Sequence, residues 1–198
     1  MNSKIKIVFT SSQEWKRNQF KAISKELQEI LEIEFDHVPD IPEIQGTCEE
    51  VVKDKVLRAY EYLKRPCIVD DESFHIQELG GFPGPYLKDF EKSCKNEGMY
   101  KVLSALKSDI CFSQVMYGIT FNGKDVLVFT GQMQCSSIAP REEKLQGQDY
   151  YEVIKSSIFG ERRLENVSDE EQTSNKDYFR TKAVSEMTQY FKSNPPKI

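Results

Sequence analysis

Residues 67–90 read CIVDDESFHIQELGGFPGPYLKDF and combine a short apolar run, three consecutive acids and a segment rich in glycine and proline. The apolar run predicts a short buried strand, and Asp70, Asp71 and Glu72 follow directly after it. Residues 79–86 hold three of the chain's ten glycines and two of its eight prolines, a density typical of a loop with a fixed shape. We therefore predict a strand that ends at an acidic cluster and leads into a shaped loop.

The acidic cluster is a candidate metal site. In α/β sheets, ligands gather outside the carboxyl ends of the strands, and crowded carboxylates are costly unless a cation binds them. Carboxylate oxygens suit hard cations, so the cluster predicts Mg²⁺, with a solvated acidic turn as the alternative. Glu43 is a candidate for a further carboxylate, because Pro42 and Gly46 restrict the loop that carries it.

The pattern around this stretch alternates between strands and helices, which predicts an α/β fold. Apolar residues at helical spacing predict helices over residues 14–31, 48–64, 86–94, 97–107, 150–159 and 175–192. Apolar and β-branched runs predict strands over residues 4–9, 33–38, 67–69, 111–121 and 125–135. Asn122-Gly123 predicts a two-residue hairpin turn, and the acidic run 164–177 predicts a loop.

Length and composition bound the class of protein. A chain of 198 residues with 38% hydrophobic positions suits one domain with a sizeable core. Its net charge of −5 argues against nucleic acid or an anionic membrane as a partner and leaves small anions such as nucleotides open. Five scattered cysteines without a CxxC pair predict reduced thiols in a cytoplasmic protein, and we see neither a signal peptide nor a membrane span. Two histidines in different segments argue against a zinc site.

The turn between the first strand and the first helix is a candidate phosphate site. Ser11, Ser12 and Gln13 precede the helix, and Lys16 follows one turn later. Backbone N–H groups and the helix dipole at such a start attract an anion, and a lysine beside them adds positive charge. The turn lacks the glycines of a P-loop, and an ordinary N-cap is the alternative.

Together these segments resemble the inosine triphosphate pyrophosphatase family, the non-canonical purine nucleoside triphosphate pyrophosphatases. The resemblance rests above all on LGGFPGPYLKDF at residues 79–90 and on the paired carboxylates before it. The other matching segments, in chain order, are KIVFTSSQEWK, DIPEIQG, VVKDKVLRAYEYLKRPCIVDD, FTG and IAPR. The match is strong up to Arg141 and weak beyond it.

The resemblance implies both a fold and a reaction. The implied fold is an elongated α/β domain over residues 1–198, with a mixed central β-sheet flanked by helices and two lobes with a nucleotide cleft between them. The implied reaction is hydrolysis of ITP, dITP or XTP to the monophosphate and pyrophosphate, a nucleotide-pool sanitation step that uses Mg²⁺, with Mn²⁺ as a substitute. The implied partners are the nucleotide and a second copy of the chain in a homodimer.

The resemblance also implies residue roles by position. Glu43 and Asp71 match the metal-coordinating carboxylates, and Asp71 also matches the residue that activates water. Asp70 matches the acidic neighbour of that residue in the catalytic pair. The positions that match nucleotide contacts are Ser11, Ser12, Gln13, Lys16, Lys55 and Lys88. For Lys55 and Lys88, exposed helical lysines are the alternative.

This chain departs most from the family pattern in the base-binding layer. The family's Phe-Gly-Trp-Asp-Pro, whose aromatic rings stack on the base, aligns with residues 146–150, where both rings are lost. The family's Ser-His-Arg, which reads the purine oxygen, aligns with residues 178–180, where only the arginine is retained. Tyr150 and Tyr151 supply replacement stacking if the loop shifts by two residues. The aligned base-side candidates are Gln146, Gln148, Asp149, Phe179 and Arg180.

Two functional hypotheses remain open. The retained phosphate and metal residues favour a Mg²⁺-dependent pyrophosphatase, including one with altered base specificity. The lost aromatic rings favour a catalytically impaired member that binds nucleotides or another partner. Glu72 points the same way, since it replaces the family's Ser or Thr on the substrate side and adds a negative charge near the phosphates. A further departure from the family pattern lies in the phosphate turn, where Ser11-Ser12-Gln13 replaces the family's Thr-Gly-Asn.

Overall fold

The computed structural model describes residues 4–39, 41–139 and 150–196. Its strands are β1 Ile5–Thr10, β2 Leu31–Asp36, β3 Cys67–Ile76, β4 Pro83–Gly84, β5 Cys111–Thr120, β6 Leu127–Ser137, β7 Ile154–Ser156 and β8 Arg162–Arg163. Its α-helices are α1 Glu14–Ile23, α2 Leu27–Ile30, α3 Cys48–Leu63, α4 Leu87–Ala105, α5 Asp169–Ser174 and α6 Phe179–Ser193. Among these described residues, no helix has the length and apolar character needed to cross a membrane.

The strands form a mixed sheet. Hydrogen-bonded neighbours follow the order β2-β1-β3-β5-β6-β7-β8, and β4 pairs with β3. β1 runs parallel to β2 and to β3, with Val8 opposite Cys67. The pairs β3 with β4, β6 with β7, and β7 with β8 are antiparallel. The predicted mixed α/β fold with a central sheet and flanking helices is therefore confirmed.

The described chain divides into two compact units. The first contains the described residues up to Asp71, then Val115–Gly131, and those from Arg180 onward. The second contains Glu72–Gln114 and the described part of Gln132–Phe179. The boundary at Asp71 falls inside β3, so this strand contributes residues to both units.

In the first unit, the two faces of β1 pack against different helices. Successive strand residues point to opposite faces. Phe9 stacks on Phe20 of α1 with ring centroids 4.0 Å apart, whereas Val8 belongs to the cluster that packs with α3. The buried members of that cluster are Val8, Val52, Val56, Ala59, Cys67 and Val69. The apolar run of β1 is thus covered on both sides, as expected for an interior strand.

In the second unit, the predicted shaped loop is confirmed. Gly80 and Gly81 have φ angles of 64° and 93°, which residues with a Cβ rarely adopt. The N–H of Gly81 donates to the carbonyl of Ile76 at 3.0 Å, and the N–H of Ile76 donates to the carbonyl of Phe82 at 3.1 Å. The Phe82-Pro83 peptide bond is cis. The loop therefore folds back on the end of β3.

The predicted end of the strand at residue 69 is wrong. β3 continues to Ile76, so Asp70, Asp71 and Glu72 lie within the strand instead of after it. Asp70 and Asp71 are buried there and face cations, as described below. Because their charges are compensated inside the structure, the acids do not end the strand as turn-forming residues would.

Two predictions in the second unit are also wrong. Residues 150–159 do not form a helix: two short 3₁₀ helices, Tyr150–Val153 and Ser157–Phe159, flank β7, which pairs with β6 and β8. The acidic run 164–177 is not all loop, because it contains the 3₁₀ helix Leu164–Asn166 and α5. Ser168 and Glu171 form a capping box at the start of α5, which explains a helix in so polar a segment.

Other boundaries shift by smaller amounts. The predicted helix over residues 14–31 is divided into α1, which ends at Ile23, and the short α2, Leu27–Ile30, and Leu31 already begins β2. The turn between β5 and β6 is longer than two residues, although Asn122 does accept hydrogen bonds from the N–H groups of Lys124 and Asp125. The predicted break between two helices near residue 95 is confirmed, because α4 is interrupted at Lys95, with φ 53° and ψ −178°.

All five cysteines are free thiols. Cys48, Cys67, Cys111 and Cys135 are buried, and only Cys94, on α4, is partly exposed. Burial raises the pKa of Cys67 to about 12 and that of Cys135 to about 11, and it also raises the pKa of Cys111. The thiolate form is therefore suppressed at these three buried sites at neutral pH.

The turn after β5 generates a stability prediction. Gly123 has a φ of 70°, and a Cβ there would lie 2.4 Å from the ring of Tyr60 on α3. Gly123→Ala should therefore lose about 1–2 kcal/mol of unfolding free energy for the backbone conformation, and about 1–3 kcal/mol more for overpacking. Urea unfolding followed by circular dichroism measures the loss.

Gly160→Ala is the matched control for this substitution. Gly160 has a similar φ of 66°, but a Cβ there would meet nothing within 4 Å. It should lose only the conformational part of the free energy. Equal losses in the two variants would contradict the predicted clash with Tyr60.

Candidate active site

Asp70 is a buried carboxylate held by two cations of the first unit. It is 2% exposed. Nη1 of Arg180, in α6, donates to Oδ2 of Asp70 at 2.9 Å, and Nζ of Lys16, in α1, lies 3.3 Å from the same oxygen. Burial alone would raise the pKa of Asp70, but Lys16 and Arg180 hold it well below its usual range. Asp70 is therefore ionised at neutral pH.

Asp71 shares a single ammonium group with Glu43. Nζ of Lys55, in α3, lies 3.0 Å from Oδ1 of Asp71 and 3.5 Å from Oε1 of Glu43. Burial and the nearby Glu43 raise the pKa of Asp71, although Lys55 opposes them. Burial alone would lower the pKa of Lys55, but Asp71, Asp70 and Glu43 raise it to about 12. Lys55 therefore stays charged and holds together a strand carboxylate and a loop carboxylate.

The two aspartates point to opposite faces of β3, as neighbours on a strand do. Val69, which shares its face with Asp71, packs in the cluster that includes α3, and α3 supplies Lys55. Asp70 instead takes its cations from α1 and α6. Ion pairs of Asp70 and Asp71 thus connect β3 to α1, α3 and α6.

Glu43 and Asp71 form the donor set that best fits a hard cation. Their oxygens already converge on one positive atom, Nζ of Lys55. Within the part of the chain that the structure describes, no three His, Cys, Asp or Glu side chains are grouped to enclose a metal. Mg²⁺ is commonly bound by one or two protein carboxylates, with waters and substrate phosphates completing its octahedron. Two converging carboxylates fit such a site.

The predicted phosphate turn leads directly into α1. The N–H of Gln13 donates to Oγ of Ser11 at 3.3 Å, and the side chain of Arg17 donates to the carbonyl of Ser11. Gln13 is the N-cap residue, and it makes no side-chain capping hydrogen bond. The ordinary side-chain N-cap considered as the alternative is therefore not what the structure contains.

The sequence-based predictions missed Trp15. Its ring is 40% exposed, with Cζ of Arg180 at 5.1 Å and Nζ of Lys16 at 5.6 Å from the ring centroid. The available signal was that the chain's only tryptophan sits among polar residues in the first turn of a helix. A large ring in such a position is not explained by a core.

Glu72 lies in the second unit and accepts hydrogen bonds from two phenols. The hydroxyl of Tyr150 donates to Oε1 of Glu72 at 2.7 Å, and that of Tyr151 donates to the same oxygen at 3.0 Å. Tyr150 is 3% exposed and its ring packs 5.0 Å from that of Phe74. Burial and Glu72 raise the pKa of Tyr150 well above its usual value. Tyr150 therefore presents no exposed ring face for the stacking considered above.

The remaining predicted residues lie in the second unit or outside the described residues. Lys88 is exposed on α4 of the second unit. Phe179 is fully buried in the second unit, with its ring centroid 4.6 Å from that of Tyr178. Gln146, Gln148 and Asp149 lie outside the described residues. The residues that the structure brings together in the first unit are Lys16, Glu43, Lys55, Asp70, Asp71 and Arg180.

Comparison with known proteins shows the family of this chain. A family model described as the Ham1 family matches residues 7–190. The chain belongs to the Ham1 family. Solved Ham1 structures from Coxiella burnetii and Staphylococcus aureus share its fold, with TM-scores of 0.75 and 0.72 at 20% and 17% identity. Each comparison covers 96% of this chain and 99% of the solved chain.

Curated relatives of this Ham1 family chain carry the name inosine triphosphate pyrophosphatase. The Aspergillus oryzae protein is 34% identical over 48% of this chain and 50% of its own length, and the Schizosaccharomyces pombe protein is 35% identical over 53% and 56%. The aligned part of the chain thus spans about half the length of each of these two relatives. The Pyricularia oryzae protein is 30% identical over 67% of this chain and 70% of its own length.

The buried ion pair generates a second stability prediction. Arg180→Met should lower the free energy of unfolding by about 3–5 kcal/mol, because it leaves Asp70 buried with one cation fewer. Since the pKa of Asp70 is lowered on folding, this contribution is present above about pH 4 and is lost as the pH falls further. Urea unfolding as a function of pH measures both effects.

Two further variants test the origin of that loss. Arg162→Met removes an exposed pair with Glu171 and should cost no more than about 1 kcal/mol. Adding Asp70→Asn to Arg180→Met should recover part of the loss, because the uncompensated charge is gone. Strictly additive effects of the two substitutions would contradict the pairing.

Proposed function

We propose that this chain hydrolyses nucleoside triphosphates to the monophosphate and pyrophosphate, with ITP, dITP and XTP as its substrates. The observation that carries the proposal is the pair of adjacent buried carboxylates, Asp70 and Asp71, with Lys16, Lys55 and Arg180 gathered around them. The names of the curated relatives support the reaction type. The phosphate and metal residues support the type of reaction. The preference for a particular base rests on family membership alone.

The cation in this proposal is divalent, and we take it to be Mg²⁺, with Mn²⁺ as a substitute. Glu43 and Asp71 would hold it, since their oxygens already converge on a positive atom. When bound, it would neutralise phosphate charge and lower the pKa of a coordinated water. Lys55 would then share its two carboxylates with the cation and face the phosphates as a second positive charge.

The chain's own residues would supply the rest of the chemistry. Cleavage between the α- and β-phosphates needs a water aimed at the α-phosphorus and a base that takes its proton. Asp71 is proposed as that base, and Asp70 as the residue that fixes Lys16 and Arg180. The ammonium groups of Lys16 and Lys55, with the backbone N–H groups at the start of α1, would stabilise the developing charge of the leaving pyrophosphate.

The other roles implied by the resemblance stay predictions. Ser11, Ser12 and Gln13 are proposed as phosphate contacts, Lys88 as a nucleotide contact and Glu72 as a residue near the phosphates. The proposed base-side set is Gln146, Gln148, Asp149, Phe179 and Arg180. A homodimer is also part of the proposal, and size-exclusion chromatography with light scattering would test it.

A nucleotide panel is the direct test of the reaction. Purified protein with Mg²⁺ should release pyrophosphate from ITP, dITP and XTP and leave the monophosphate. Chelation of the cation should abolish release, and Mn²⁺ should restore it, because the two carboxylates need a bound cation to face a triphosphate. Nucleotide binding by calorimetry without any product would favour the binding-protein hypothesis instead. No product from any nucleoside triphosphate would refute the proposal.

Asp71→Asn tests the assigned base. The amide is close in size but does not accept a proton, so kcat should fall by about 10²–10⁴-fold while nucleotide binding persists. Asp125→Asn, in the exposed turn between β5 and β6, is the control and should keep full activity. Wild-type kcat in Asp71→Asn would remove Asp71 from the mechanism.

A further inference from the structure

Trp15 stands apart from the other exposed aromatic residues of the first unit. In the described chain, Trp15, Tyr62 and Tyr190 are the exposed rings of that unit. Trp15 has two cations against its ring, those of Arg180 and Lys16, and it precedes Lys16 directly in the chain. It is therefore the exposed ring that borders the charged site.

Arg180 connects the indole of Trp15 to the buried charge of Asp70. Arg180 is 1% exposed and is fixed by its hydrogen bond to Asp70. Its guanidinium lies 5.1 Å from the centroid of Trp15, within the range of a cation–π interaction. A buried, charge-paired guanidinium against the ring gives the indole a defined orientation, and 40% of Trp15 stays exposed to solvent.

An open indole beside ammonium and carboxylate groups suits a ligand with a flat apolar part and an anionic part. A nucleotide has both, since its base has a π-face and its phosphates are anionic. We infer that the exposed face of Trp15 stacks on the base of the bound nucleotide. This inference rests on the proposed function. Every base has a π-face, so the contact would add affinity for nucleotides in general rather than select one base.

The intrinsic fluorescence of the wild-type protein tests this inference without any substitution. Trp15 is the only tryptophan, so the emission excited at the red edge reports on this ring alone. Saturating inosine monophosphate should quench the emission, because its base covers the indole. Ribose 5-phosphate has the same sugar and phosphate without the base, and at saturation it should leave the emission nearly unchanged. Equal responses to both ligands, or none to inosine monophosphate, would overturn the inference.

Substitutions separate stacking from an indirect effect through Arg180. Trp15→Ala should raise the KM for ITP about tenfold, with little change in kcat. Trp15→Phe, which keeps a ring, should recover most of that affinity. Inhibition by inorganic tripolyphosphate, which has no base, should be the same in all three proteins. Tyr62→Ala removes an exposed ring from α3 and is the matched control, with no expected change.

The outcomes also separate this inference from the proposed function. If Trp15→Ala weakens ITP and tripolyphosphate equally, Trp15 only positions the cations, and the stacking contact is refuted. If wild-type protein hydrolyses ITP and Trp15→Ala has an unchanged KM, stacking fails and the proposed function stands. If inosine monophosphate quenches Trp15 but no triphosphate is hydrolysed, stacking stands and the proposed function fails. If the protein neither binds inosine monophosphate nor hydrolyses a triphosphate, both the stacking contact and the proposed function are refuted.

Discussion

The structure of the first unit depends on compensating two carboxylates inside a strand. A buried charge without a partner costs several kcal/mol, so Asp70 and Asp71 require cations wherever β3 is covered. Those cations come from α1, α3 and α6, and Arg180 lies 110 positions away from Asp70 in the chain. The return of the chain to the first unit at Arg180 therefore brings in the charge that allows Asp70 to be buried. The same groups that stabilise the strand are those proposed to meet a triphosphate.

Local patterns predicted the elements whose determinants are close in sequence. The strand near residues 4–9, the helix from Cys48, the helix near residues 175–192 and the loop at 79–86 follow from periodicity and from glycine and proline content. The extension of β3 did not, because the cations that permit it are distant in sequence. β7 was missed because a strand of three residues is too short to show an alternation of apolar and polar residues. Its pairing partners lie in β6, which is distant in sequence. The capping box of α5 was readable at Ser168 and Glu171, and acidic composition obscured it.

The candidate site likewise contains residues that local sequence predicts and contacts that depend on residues distant in the chain. The paired aspartates, Glu43 and Lys16 were predicted from residue type and spacing. Their partners Lys55 and Arg180 were reached only through the family resemblance, and the pairing itself was not predicted. The expectation that Glu72 adds a negative charge near the phosphates stays a prediction. The structure adds that two phenol hydroxyls donate to this carboxylate. The two donors lie about 80 positions away in the chain, and composition does not reveal such a contact. Trp15 was overlooked because its contact with Arg180 joins residues that are distant in sequence.

The distribution of two rare side chains has a practical consequence. Trp15 is the single tryptophan and lies in the first unit, whereas Cys94, the one thiol that is not buried, lies in the second. A maleimide acceptor attached to Cys94 would be paired with a natural donor, with no substitution in the chain. Energy transfer between the two reporters would then give the separation of the units in solution in the absence of nucleotide.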